Sequence, residues 1–154
     1  MFRTPLTLFR TLAIAEAISW TLLIAGLIVR ATTGWAPAVT IGGGIHGFVF
    51  LSYGATVVLV ALNNRWKAWP TAIALLSAIV PYATIPAEVW FHRRGLLVGD
   101  WRTDPSLASA DARWYDGPLS WLLRRPWVLF LALFVAIVAI FAALLLIGPP
   151  GGKS

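Results

Sequence analysis

Three ionisable side chains lie inside long apolar runs of this chain: Glu16, His46 and Glu88. A carboxyl group or an imidazole placed in hydrocarbon is costly, so each is expected to face protein or water and is a candidate for chemistry. These residue types can hold or pass a proton, receive a cation, or tie helices together. Glu16 reads either as a neutral carboxylic acid bonded to a neighbouring helix or as a proton- or cation-handling group. His46 reads as a neutral imidazole holding the second helix to the first and third. Glu88 reads as half of an interfacial ion pair, with Arg30 as its best-placed partner and Arg93 and Arg94 beside it.

Spacing assigns these groups to faces and depths. At about 100° per residue, His46 and Tyr53 share a line, and Glu16 shares a face with Ser19, Trp20 and Leu23. Ser77, Thr84 and Glu88 share another face. Gly43, Gly47 and Gly54 form a packing stripe, and Gly43 and Gly47 make the GxxxG pair that lets a second backbone approach. Counting about 1.5 Å per residue gives two polar layers roughly 10 Å apart, Glu16–Tyr53–Ser77 and His46–Tyr82–Thr84. The expected polar core is therefore Glu16, His46, Tyr53, Ser77 and Tyr82.

Other chemistries are disfavoured. The chain has no cysteine, which removes thiolate metal sites, disulfides and cysteine nucleophiles. A metal held by Glu16, His46 and Glu88 would need the depths to be wrong by about 10 Å. A haem held by two histidines would need His92, which sits at a boundary. No serine, histidine and aspartate arrangement or phosphate-binding glycine loop is present. No catalytic residue, metal site or cofactor is expected, and the chain is not read as an enzyme.

The elements that must position these groups follow from composition. Of 154 residues, 59% are hydrophobic and 12% charged, and the mean hydropathy is +0.80. A chain this short cannot hide so much apolar surface in one water-soluble core. The expectation is an all-α membrane protein, four transmembrane helices in a small bundle, multi-pass in the plasma membrane. The helices are predicted over about 8–29, 38–62, 70–91 and 126–147. Pro81 and Pro86 predict kinks in the third. Residues 1–95 form a three-helix core domain, 96–125 a polar arginine-rich loop, 126–148 the fourth helix and 149–154 a disordered tail. Asp104-Pro105 predicts a short surface helix over about 105–113, and 118–125 a second interfacial piece.

Four spans place both termini on one side. That side then carries Arg3, Arg10, Arg65, Lys67 and Lys153, against Arg30, Arg93, Arg94, Arg102, Arg113, Arg124 and Arg125 on the other, which leaves orientation open. The net charge of +6 sits at the ends of apolar runs. This points to anionic lipid at the 92–125 loop and away from nucleic acid.

The stretches LFRTLAIAEAISW, GGIHGFVFLSY and SAIVPYATIPAEVWFHRRG resemble a family of small bacterial integral membrane proteins catalogued as a three-helix domain of unknown function. The resemblance covers about residues 6–95 and centres on the pair His46-Gly47. It implies no activity. Fusion of that domain to transporters in some chains implies an accessory role, and the fourth helix falls outside it. The expected function is an accessory, assembly or modulatory subunit, associating as a homo-oligomer or within a larger membrane protein complex. The alternative is a small oligomeric proton-coupled transporter using Glu16 and His46.

Overall fold

The computed structural model describes residues 3–103 and 113–147, and all regular structure among them is helical. The tail at 149–154 lies outside these residues, as does all but the last residue of the short helix expected at 105–113. Helix α1 spans Pro5–Thr33 and α2 spans Pro37–Asn63. Thr4 caps α1 through a reciprocal bond pair with Thr7, and Pro5 occupies a first-turn position where no backbone donor is needed. Gly34 ends the helix in the left-handed region at φ 74°, which a residue without a side chain adopts freely.

Only residues 34–36 join α1 to α2, so the two form a close antiparallel hairpin. Two glycines set its spacing. A Cβ on Gly26 would lie 2.6 Å from the Ala38 carbonyl oxygen, and one on Gly42 would lie 2.7 Å from that of Leu22. The expected stripe does not provide this approach. Added carbons at Gly43, Gly47 and Gly54 would meet only side chains, Leu23 at 3.8 Å, the Phe141 ring at 3.1 Å and Leu75 at 3.9 Å.

The third apolar run departs most from expectation. It forms α3, Ala68–Ser77, and α4, Thr84–Arg93, with a reversal between them. Each has ten residues, about 15 Å of rise against roughly 30 Å of hydrocarbon. The contacts of α4 descend α1 in reverse order. Tyr82 meets Thr21, Thr84 meets the Ala13 carbonyl, Glu88 meets Arg10, and Phe91 packs on Phe9. Trp69 at the start of α3 stands 5.7 Å from Trp90 at the end of α4. The segment therefore enters to the level of Trp20 and Thr21, near the middle of α1, and leaves by the end it entered.

Proline explains the break. Pro81 has no N–H to continue a helix through Ser77, and Tyr82 takes φ 64° to complete the turn. Pro86 then lies in the first turn of α4, where its missing donor costs nothing. The indole N–H of Trp20 donates to the Ala78 carbonyl at 3.2 Å and so satisfies one acceptor of the reversal.

Helix α5 covers Asp116–Arg124 and α6 covers Pro126–Ile147. Leu129 of α6 clusters with Leu59 of α2, and Phe141 lies over Gly47. Helix α6 thus runs antiparallel to α2 and parallel to α1. Ile147 and Arg3 therefore lie at opposite ends of the bundle, where the expectation of four spans has the two ends of the chain on one side. Among the described residues, the helices long and apolar enough to cross a bilayer are α1, α2 and α6.

Candidate functional site

The polar side chains meet where the tip of the hairpin reaches α1 and α2. Glu16 is fully buried. The Ser19 hydroxyl lies 2.8 Å from the Glu16 carbonyl, 3.2 Å from Glu16 Oε2 and 2.9 Å from His46 Nδ1. One hydroxyl proton serves one acceptor at a time. A consistent arrangement has His46 Nδ1–H donating to Ser19 and Ser19 donating to the carbonyl one turn back. His46 Nδ1 also stands 3.8 Å from Glu16 Oε1, a buried oxygen with no hydrogen-bond partner among the described residues. The Trp20 ring covers the imidazole with centroids 4.4 Å apart. Chemically, the arrangement is a short chain of exchangeable groups, carboxyl to hydroxyl to imidazole, with one acceptor in reserve.

Glu16 and His46 therefore belong to one cluster and not to two layers. Counting from the helix ends does not give the register. The close approaches of Gly26 to Ala38 and of Gly42 to Leu22 set it, and one turn beyond the second His46 stands opposite Ser19. Tyr53 lies a step lower, 3.2 Å from Ser77, whose own hydroxyl donates to the Ala74 carbonyl at 2.7 Å. Below them Phe9 is enclosed by Tyr53, Trp66 and Phe91 at centroid distances of 5.6, 6.0 and 5.9 Å. Tyr82 is not in the core. It is 45% exposed at the hairpin tip, with its hydroxyl 3.3 Å from that of Thr21.

Glu88 pairs with Arg10, not Arg30, Arg93 or Arg94. Arg10 Nε donates at 3.0 Å and its terminal nitrogen lies at 2.9 Å. Arg30 sits at the opposite end of α1, and Arg94 stacks over Trp90 at 5.1 Å. The error follows from the assumed crossing, which would have carried Glu88 to the far boundary. Sequence reasoning also passed over Asn63 and Asn64. Asn63 donates to the Asp100 carbonyl and accepts from the Arg102 amide, and Asn64 donates to the Leu96 carbonyl, binding residues 96–102 beneath α2. The sequence signal available was two adjacent Asn at a helix end, residues whose side chains favour turns and bond backbone groups.

The reversal gathers charge at one end. Arg3, Arg10, Arg65, Lys67, Arg93, Arg94, Arg102, Arg113, Arg124 and Arg125 all lie there, while Arg30 alone among the described basic residues lies at the other. Arg65 meets Asp116 at 2.8 Å and fastens α5 to that end.

Three apolar spans, a half-depth hairpin and a buried polar cluster define a multi-pass integral protein of the plasma membrane. The chain belongs to a family described as a domain of unknown function, DUF3817, which matches residues 6–93. It is similar to the putative membrane protein SCO5905 of Streptomyces coelicolor, 38% identical over 91 residues, which are 58% of this chain and 11% of that one. It is also similar to the uncharacterized membrane protein YdzA of Bacillus subtilis, 32% identical over 99 residues, 62% of this chain and 96% of that one. The chain thus spans about a tenth of the Streptomyces relative and nearly all of the Bacillus one. No solved structure matches.

Proposed function

We propose that this protein is a non-enzymatic accessory subunit that works by associating, with itself or with a larger protein, inside the bilayer. The observation that carries this reading is the contrast between the two relatives. The shared stretch makes up about a tenth of one membrane protein and almost the whole of another. A module that occurs both alone and as a small part of a large chain is suited to act beside other membrane segments. The enclosed core agrees with this, since Tyr53 and Thr84 have no exposed surface and bond one helix to the next, to Ser77 and to the Ala13 carbonyl. Helices α5 and α6, beyond the family match, are then an addition to a core of α1 to α4.

We take the hairpin end as the cytoplasmic one. Among the described residues ten arginines and lysines lie at that end against Arg30 at the other, the bias that the positive-inside rule associates with the cytoplasm.

A second reading has one observation in its favour. The contact of Glu16, Ser19 and His46 would serve as the proton-binding element of a small proton-coupled transporter. One experiment separates the two. The tagged chain is purified from its own membrane in mild detergent and its mass and companions are determined. A larger membrane protein in fixed ratio, or a homo-oligomer that conducts no protons into vesicles, supports the accessory reading. Purified protein without companions that conducts protons into vesicles, and loses this with Glu16→Gln, overturns it.

A further inference from the structure

Between α1, α2 and α6 runs an apolar groove of about 360 Å³ that opens to the side. Leu12 of α1, Ala55 of α2 and Phe130 of α6 are among its walls. From Pro126 at its mouth to Ile137 at its inner end, α6 rises about 16 Å, roughly half of a 30 Å hydrocarbon layer. That is the depth of one leaflet and so the reach of one lipid chain. Its polar lining is confined to two hydroxyls, and that of Ser52 already donates to the Phe48 carbonyl at 2.8 Å.

The mouth has the opposite character. Arg124 and Arg125 immediately precede Pro126, and both are exposed. Arg124 uses its Nε on the Thr103 carbonyl at 2.7 Å, which leaves its terminal nitrogens to point elsewhere. Arg125 lies over the Trp121 ring at 5.0 Å. Neither forms an ion pair with a carboxylate among the described residues, whereas Arg10 meets Glu88 and Arg65 meets Asp116. Paired terminal nitrogens of this kind suit phosphate oxygens.

We infer that the groove is a phospholipid site: one acyl chain of an anionic phospholipid lies between α1, α2 and α6, and its phosphate meets Arg124 and Arg125. A groove one leaflet deep with its basic mouth at the headgroup level matches both halves of such a molecule. A chain seated there fills the space between α6 and the α1–α2 hairpin and fastens α6 to the core. The site needs no protein partner and stands apart from the accessory reading.

The test places the full chain in nanodiscs of phosphatidylethanolamine and phosphatidylglycerol, extracts it in mild detergent and weighs it by native mass spectrometry. One phosphatidylglycerol is expected to remain per chain. Arg124→Gln and Arg125→Gln should each lower its enrichment about fivefold, the weight of one basic residue at an anionic surface. Ala55→Phe fills the groove and should abolish lipid retention, while Ile18→Phe, on an exposed face of α1, should not. If Ala55→Phe fails to fold by thermal melting, Ser52→Leu takes its place. Retention of no lipid, equal retention of both lipids, or retention unchanged by the filling variant overturns the inference. So does loss of a bound protein with the filling variant while the lipid stays, because the groove would then hold a partner's helix.

Discussion

Replacing Gly42 by alanine tests the packing that brings Glu16, Ser19 and His46 together. The added carbon would stand 2.7 Å from the Leu22 carbonyl oxygen and 3.2 Å from the Leu23 Cα, and both are backbone that no rotamer change can move. Relief to an ordinary contact of 3.4 Å or more requires α2 to withdraw from α1. Overpacking of this kind costs about 1–3 kcal/mol. A glycine inside a helix also forfeits about 1 kcal/mol of propensity, which alanine restores. Gly44 supplies the control, because a carbon added there meets nothing within 4 Å. The difference between Gly42→Ala and Gly44→Ala cancels the propensity gain and leaves the clash, about 1–3 kcal/mol. Reversible unfolding in detergent, followed by tryptophan fluorescence, measures both. If the helices part evenly, the 2.9 Å contact of Ser19 with His46, one turn away, is drawn out of hydrogen-bond range. Equal stability of the two variants would refute the close crossing, and with it the register on which the cluster rests.

The cysteine-free chain is ready for labelling with a membrane-impermeant maleimide. Lys67→Cys and Arg94→Cys should react from the same side and Thr33→Cys from the other; labelling of 67 and 94 from opposite sides would restore a crossing third helix. Arg10→Ala should cost about 1–2 kcal/mol and more than Glu88→Gln, because it strands a carboxylate whose side chain is 8% exposed. Thermal melts giving Glu88→Gln the larger loss would contradict the pairing. Ser19→Ala removes the hydroxyl shared by Glu16 and His46 and should cost about 1–2 kcal/mol, with an unchanged melting temperature as the contrary result.

Helices α1, α2 and α6 were legible because a run of some twenty apolar residues has few destinations other than a bilayer. The predicted span at 126–147 coincides with α6, and those at 8–29 and 38–62 fall inside α1 and α2. The hairpin was not legible from hydropathy, since Ala68–Arg93 is as apolar folded back at half depth as it would be stretched across. Pro81 and Pro86 mark an interruption equally well in a kink and in a reversal. Charge carried more information: Arg65 and Lys67 before the segment and Arg93 and Arg94 after it put basic residues at both ends, which suits two ends on one side. The site suffered from the same source. That Ser19 shares the face of Glu16 follows from helical spacing, whereas the level of His46 depends on how α1 and α2 slide past each other. Gly26 and Gly42, where the two backbones meet, fix that register, and the apolar pattern does not mark them.

The hairpin that stops at mid-depth also gives the protein a shape. Of the described helices, the half of the bilayer that receives α3 and α4 accommodates five, and the other half accommodates three. Such a body is a wedge, taking up more area in one leaflet than in its neighbour. It rests with least strain where the two leaflets differ in area, and a row of copies joined by their flanks would bend the sheet around them. An association that looks flat in detergent would then carry a preferred membrane curvature.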